Sequence, residues 1–204
     1  MQVIKVVGMD PSLSNFGIAK ASLDVETLKI LDITFELGKT KPEQDAKTRK
    51  VVRKNSEDLE RAKLLLASAL DATQDAVMAF VEVPVGSQSA RAMASYGICL
   101  GVLAAVEGKL PMIQVTPSEV KLVGAGVKTA TKEEMIKAMV AKYPDAPWPR
   151  QTIKGETKLI ASSCEHLADA LAAIEAGIAT QDFKRTLAMF KSTPLFQSLM
   201  KRAA

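Results

Sequence analysis

Short β-branched apolar runs along this chain alternate with longer stretches in which apolar residues recur every three or four positions, the pattern of an α/β protein. Residues 3–7 are apolar apart from Lys5 and lead into Gly8-Met9-Asp10-Pro11, so a buried strand ends there at a turn. Residues 17–21 and 28–35 read as two further strands, completing an antiparallel meander. From 43 to 71 the composition shifts to Lys, Glu, Leu and Ala, with Val51, Leu59, Ala62, Leu66 and Leu70 on the stripe of a long amphipathic helix. Residues 76–83 form a fourth strand, stopped by Pro84. A helix over 89–107, a short strand over 112–115 and a helix opened by Thr116-Pro117-Ser118-Glu119 follow. Thr131 with Glu134 is a capping box for the next helix, to about Lys142. Pro144 to Pro149 reads as a rigid loop in which Trp148 packs, and the polar stretch to Thr157 reads as irregular. The last core helix spans 163–178. This order predicts one mixed five-stranded sheet with helices on both faces, in a single domain over residues 1–180, with a basic tail or helix over 181–204.

Composition narrows the chemistry. The 204 residues contain one histidine, His166, and two cysteines, Cys99 and Cys164, so a closed zinc site cannot be assembled from Cys and His alone. Metal chemistry here must be mainly carboxylate chemistry. The net charge of +4 permits a polyanionic partner. It is concentrated near the end of the chain, where Lys184, Arg185, Lys191, Lys201 and Arg202 stand against Asp182, and a second basic run holds Lys47, Arg49, Lys50, Arg53 and Lys54. The start has no secretory pattern, and the longest apolar run, 98–106, is about half of what a membrane span needs, so an intracellular, cytoplasmic protein with reduced thiols and no membrane partner is expected.

Three acids stand where the local pattern predicts something else. Asp10 closes an apolar strand, Glu82 lies inside the apolar run 77–83, and Asp169 interrupts Leu167, Ala168, Ala170 and Leu171. A carboxylate in such surroundings is costly unless it is paired or binds a cation. If the first strand is central, strands 1 and 4 are neighbours and the last helix crosses their ends, gathering the three acids. His166 lies three residues before Asp169 and shares its helix face; Glu165, four before, competes for the same role.

These residues carry a resemblance. Val6-Val7-Gly8-Met9-Asp10-Pro11-Ser12 resembles the first motif of the RuvC Holliday junction resolvases, in which a strand ends in Gly-Ile-Asp-Pro-Gly. Val81-Glu82, followed by Ala90, Gly97 and Gly101, is similar to the second motif. His166-Leu167-Ala168-Asp169-Ala170-Leu171-Ala172 is similar to the third, whose first acid is His in some members. Lys121 and Lys132, flanking Gly124-Ala125-Gly126, keep the spacing of two family lysines, and the likeness runs in one order from Val3 to about Ile178.

The resemblance implies an RNase H-like fold and a homodimer that cuts four-way DNA junctions by paired phosphodiester hydrolysis. Asp10, Glu82, His166 and Asp169 would be the catalytic and metal-binding set for two Mg²⁺ ions about 3.5–4 Å apart, with Asp10 bridging them. Mn²⁺ would substitute, being more tolerant of a His ligand. His166 would alternatively take a proton from the attacking water. Lys121 and Lys132 would contact the DNA backbone, with Lys50 and Arg53 extending that surface.

The chain departs from the pattern in two places. Ser12-Leu13 replaces Gly-Ser after the first acid, and Val85, in the loop 84–88, stands where the family places an aromatic wedge that contacts DNA. That second departure keeps other branched DNA, or RNA, open as the substrate. A non-catalytic DNA-binding scaffold would need a broken acidic set, and all four positions hold competent ligands. A sugar-kinase relative would want a glycine-rich loop where Pro11-Ser12-Leu13-Ser14-Asn15 stands.

Overall fold

The computed structural model describes residues 2–40 and 54–193. The chain begins with β1 (Val3–Asp10), β2 (Asn15–Asp24) and β3 (Ile30–Lys39), then α1 (Lys54–Ala72), β4 (Met78–Glu82), α2 (Ala90–Glu107) and β5 (Met112–Val115). There follow α3 (Pro117–Ala125), α4 (Lys132–Lys142), β6 (Arg150–Ile153), β7 (Glu156–Leu159), α5 (Ala161–Ala179) and α6 (Gln181–Ser192). One mixed sheet has the order β3-β2-β1-β4-β5. The meander β1–β2–β3 is antiparallel, whereas β4 runs parallel to both β1 and β5. β1 is therefore central, and Asp10 and Glu82 stand at the same end of adjacent parallel strands.

Side-chain alternation along the strands divides the core between the two faces. Val6, Ala19, Leu23 and Phe80 meet α3, α4, α5 and α6 through Val120, Met135, Leu171 and Phe183. Val7, Met9, Ile18 and Val81 meet α1 and α2 through Leu65, Ala69, Cys99 and Val102. Helices thus cover both faces, as expected. The expected capping box forms at Thr131–Glu134, and the helix start expected at Thr116 carries a second one, Thr116–Glu119.

α5 is apolar around most of its circumference and is the buried helix of the fold. It lies so close to the sheet that a Cβ on Gly8 would sit 2.0 Å from the Ala170 carbonyl oxygen, and one on Gly17 2.2 Å from that of His166. Glycine is required at both positions by this approach.

Two expectations change, at the start of the third strand and after Pro149. The third strand starts at Ile30 because Leu28 adopts φ 58° in the preceding turn. The polar stretch after Pro149 is a hairpin, β6–β7, turned by Lys154 and Gly155 at φ 52° and 83°. Trp148 is buried, stacked on Phe35 at 4.6 Å between ring centroids, and its indole N–H donates to the Tyr143 carbonyl at 2.8 Å. The described part of 181–204 is helix α6, anchored by fully buried Phe183 against Phe80. Of the long helix expected over 43–71, residues 43–53 lie outside the described residues.

α2 buries only Cys99, Val102, Leu103 and Val106. Met93 and Leu100 are exposed, and nothing lies within 4 Å of where a Cβ would stand on Gly97 or Gly101. By length and composition it is the one described helix apolar enough to cross a membrane; here its buried stripe packs on the sheet.

Gly17→Ala is expected to destabilise the fold by roughly 1–3 kcal/mol, since the added methyl must displace the α5 backbone. Chemical unfolding measures this, and an unchanged midpoint would refute the close approach.

Candidate active site

β1 and β4 each end in an acid because a strand terminus is where a carboxylate reaches water while its neighbours stay buried. Met9 pairs with Val81, so Asp10 and Glu82 are one step further along their strands. α5 packs against both strands and presents His166 and Asp169 from one face, about a turn apart. The His166 Nδ1 stands 2.7 Å from Asp10 Oδ2, and the two side chains keep 17% and 15% of their surface exposed.

The charges of this group act on one another. Burial, then the charges of Asp10 and Asp169, push the Glu82 carboxyl up to about 8, with Lys121 opposing. Burial, then Asp10 and Glu165, push Asp169 up to about 7 against His166 and Lys121. Burial lowers the His166 pKa, but the Asp10 hydrogen bond and the charges of Asp10, Glu165 and Asp169 outweigh it, so the ring is more basic than usual.

The donors suit a hard divalent cation. The Glu82 and Asp169 carboxylates make no hydrogen bond or ion pair with any described residue, so their oxygens are unspent, and a dication would offset both the burial and the repulsion that raise their pKa values. Among the described residues no three His, Cys, Asp or Glu side chains stand close enough together to hold an ion, so ion binding must draw these donors inward.

The other expected residues divide into two groups. Lys121 on α3 is near enough for its charge to be felt by Glu82 and Asp169. Lys132 is 75% exposed and ion-paired with Glu165, which turns that acid towards α4 while His166 turns to Asp10. Val85 is 81% exposed in the loop beyond Glu82. Lys50 and Arg53 lie outside the described residues.

Reading the sequence passed over Arg61 and Asp58, both nearly fully buried behind the loop after Asp10. The spacing of three between opposite charges on α1 was their only signal, and it is common on solvated faces.

No family model matches the chain, and no curated protein matches its sequence. Its architecture is the RNase H-like α/β fold in the arrangement of the RuvC resolvases. Two solved structures share it. Thermus thermophilus RuvC in complex with a Holliday junction substrate is 24% identical over 86% of this chain and 94% of that one, with a TM-score of 0.57. Thermus thermophilus RuvC in a second structure is 25% identical over 86% of this chain and 95% of that one, with a TM-score of 0.55.

Without metal, Glu82, Asp169 and His166 bind more protons in the folded chain than in the unfolded one. Glu82 moves from an ordinary 4.5 to about 8 and Asp169 from 3.8 to about 7, so stability declines as pH rises through that window. The raised His166 pKa acts in the same direction: its contribution is present below 6.5 and lost above the folded value. Thermal unfolding in chelator is expected to show Tm falling from about pH 5 to about pH 9, and Glu82→Gln should flatten that fall. A flat profile in the parent chain would contradict the arrangement.

Proposed function

We propose that this chain is a divalent-metal-dependent endonuclease that resolves four-way DNA junctions as a homodimer, hydrolysing one phosphodiester per protomer. The observation that carries this reading is the meeting of Asp10, Glu82, His166 and Asp169 at the ends of β1 and β4 beneath α5. The likeness to a RuvC bound to a Holliday junction supports the substrate class.

Mg²⁺, or Mn²⁺ in its place, would supply the positive charge that makes an attacking water acidic and stabilises the leaving 3′-oxygen. Asp10 commits one oxygen to His166 and keeps the other for an ion, while Glu82 and Asp169 offer both of theirs. With Nδ1 held by Asp10, the His166 Nε2 is the atom left to ligate or to accept the water proton. Lys121, beside the acids, orients the scissile phosphate. Lys132 contacts a neighbouring phosphate on leaving Glu165, and Lys50 and Arg53 extend the contact along the backbone.

The outward face of α2 supports the dimer. Met93, Gly97, Leu100 and Gly101 offer water an apolar surface with small residues at which a second helix backbone can approach closely. Val85 favours a second reading, in which three-way or flap DNA, or RNA, is cut as well, because an exposed valine stacks poorly on an opened base pair.

Asp10→Asn is expected to reduce nicking of a synthetic four-way junction by at least about 10³-fold while leaving junction binding in gel-shift assays intact. Unchanged turnover would remove the proposed chemistry, and parallel three-way, flap and RNA–DNA hybrid substrates decide between the two readings. Gly101→Glu adds its side chain in open space, so the protomer should fold while light scattering reports a monomer.

A further inference from the structure

Behind the acidic cluster, on the α1 and α2 side of the sheet, lies a chain of charged side chains, two of them buried, that the proposed chemistry does not use. Arg61, 8% exposed, donates from Nη2 to the Leu13 carbonyl at 3.1 Å and to Ser14 Oγ at 2.8 Å. Its Nε donates to Thr40 Oγ1 at 3.0 Å, and the Thr40 hydroxyl donates in turn to the same Leu13 carbonyl. Leu13 and Ser14 belong to the turn that leaves β1 immediately after Asp10. The buried Cys99 thiol is near enough to both Asp10 and Arg61 to feel the charge of each.

Arg61 also faces Asp58, 6% exposed, with Nη1 at 3.6 Å from Oδ1. Asp58 is gripped from the other side by Arg91, whose Nη2 donates to Oδ1 at 2.7 Å and whose Nη1 donates to Oδ2. Arg91 is the second residue of α2, and the segment before that helix, 83–89, follows directly on Glu82 and carries Val85. The two segments that leave the acid-bearing strands are thus tied to one Arg–Asp pair on α1, a helix that contributes no residue to the site.

Arginine suits this task. Its rigid fork makes several directed bonds at once, which a lysine ammonium cannot reproduce. A buried charge pair adds little net stability but fixes the geometry around it.

We infer that Arg61, Asp58 and Arg91 form a positioning network that sets the separation of Asp10 and Glu82 for joint metal binding. This rests on the proposed metal-dependent chemistry for its catalytic consequence, though not for its effect on ion affinity. Loosening the network should spread the two acids, weaken the divalent site and slow hydrolysis, with the DNA-contacting lysines left in place.

The test uses the full chain. Arg91→Ala is the main variant, because its side chain is 43% exposed and the fold should survive its loss. Arg61→Lys is the second variant, and Met139→Ala, a core truncation on α4, is the stability control. Mn²⁺ is titrated by calorimetry and by the rise in Tm, and single-turnover nicking of a four-way junction is followed across Mn²⁺ concentrations.

For Arg91→Ala the Mn²⁺ midpoint is expected to rise several-fold and nicking at low Mn²⁺ to fall about tenfold, recovering as Mn²⁺ is raised, with junction affinity within about twofold of the parent. Asp58→Asn combined with Arg91→Ala should lose little more than either alone. An Arg91→Ala protein with the parent's Mn²⁺ midpoint, or a shift matched by Met139→Ala, overturns the inference. If the parent nicks no branched substrate, the proposed function falls, and the Mn²⁺ midpoints alone still decide whether the network positions the acids.

Discussion

The site depends on how closely α5 lies on the strands beneath it. An ordinary helix on a sheet rests on side chains about 10 Å above the backbone, whereas here helix carbonyls occupy the space that a Cβ on Gly8 or Gly17 would fill. Gly17 pairs with Asp10 across β1 and β2, and the backbone it accommodates is that of His166 itself. The glycine that lets the helix descend is therefore opposite the acid that the helix must reach. A larger residue would lift His166 away from Asp10 without altering any charged group.

That approach carries an electrostatic cost. Two half-buried carboxylates without hydrogen-bond partners among the described residues, near a third acid, work against folding, and Lys121 offsets only part of the repulsion. Such strain is what a site built to capture cations accumulates, because the ion supplies the missing charge on arrival. The rest of the core is assembled to tolerate it: two apolar clusters, one on each face, hold β1 and β4 in register from below and above.

Strand and helix periodicity, with Pro84, the Thr116-Pro117 helix start and the Thr131–Glu134 box as punctuation, made most of the sheet and its helices legible. The acids were legible because Asp10, Glu82 and Asp169 each break an apolar pattern. The choice between Glu165 and His166 was not, since both share a helix face with Asp169, and only the packed orientation of α5 turns one to Lys132 and the other to Asp10. The β6–β7 hairpin escaped because its residues are polar on both faces, leaving no alternation, and its turn uses Lys-Gly where Asn-Gly would be the usual marker. Arg61 and Asp58 escaped because charged residues on an amphipathic helix are normally solvated, and their partners lie far away in sequence.

The neck of that hairpin is closed by the Ile160 amide donating to the Pro149 carbonyl at 2.9 Å. Chain enters and leaves at one point, with Trp148 clamped on the incoming side and α5 starting on the outgoing side. The ten residues between are thus a self-contained excursion whose length is uncoupled from the helix that carries His166 and Asp169. This ribbon can be lengthened, shortened or recomposed, and a sequence or tag spliced into its tip, at little more than the entropy of a longer loop.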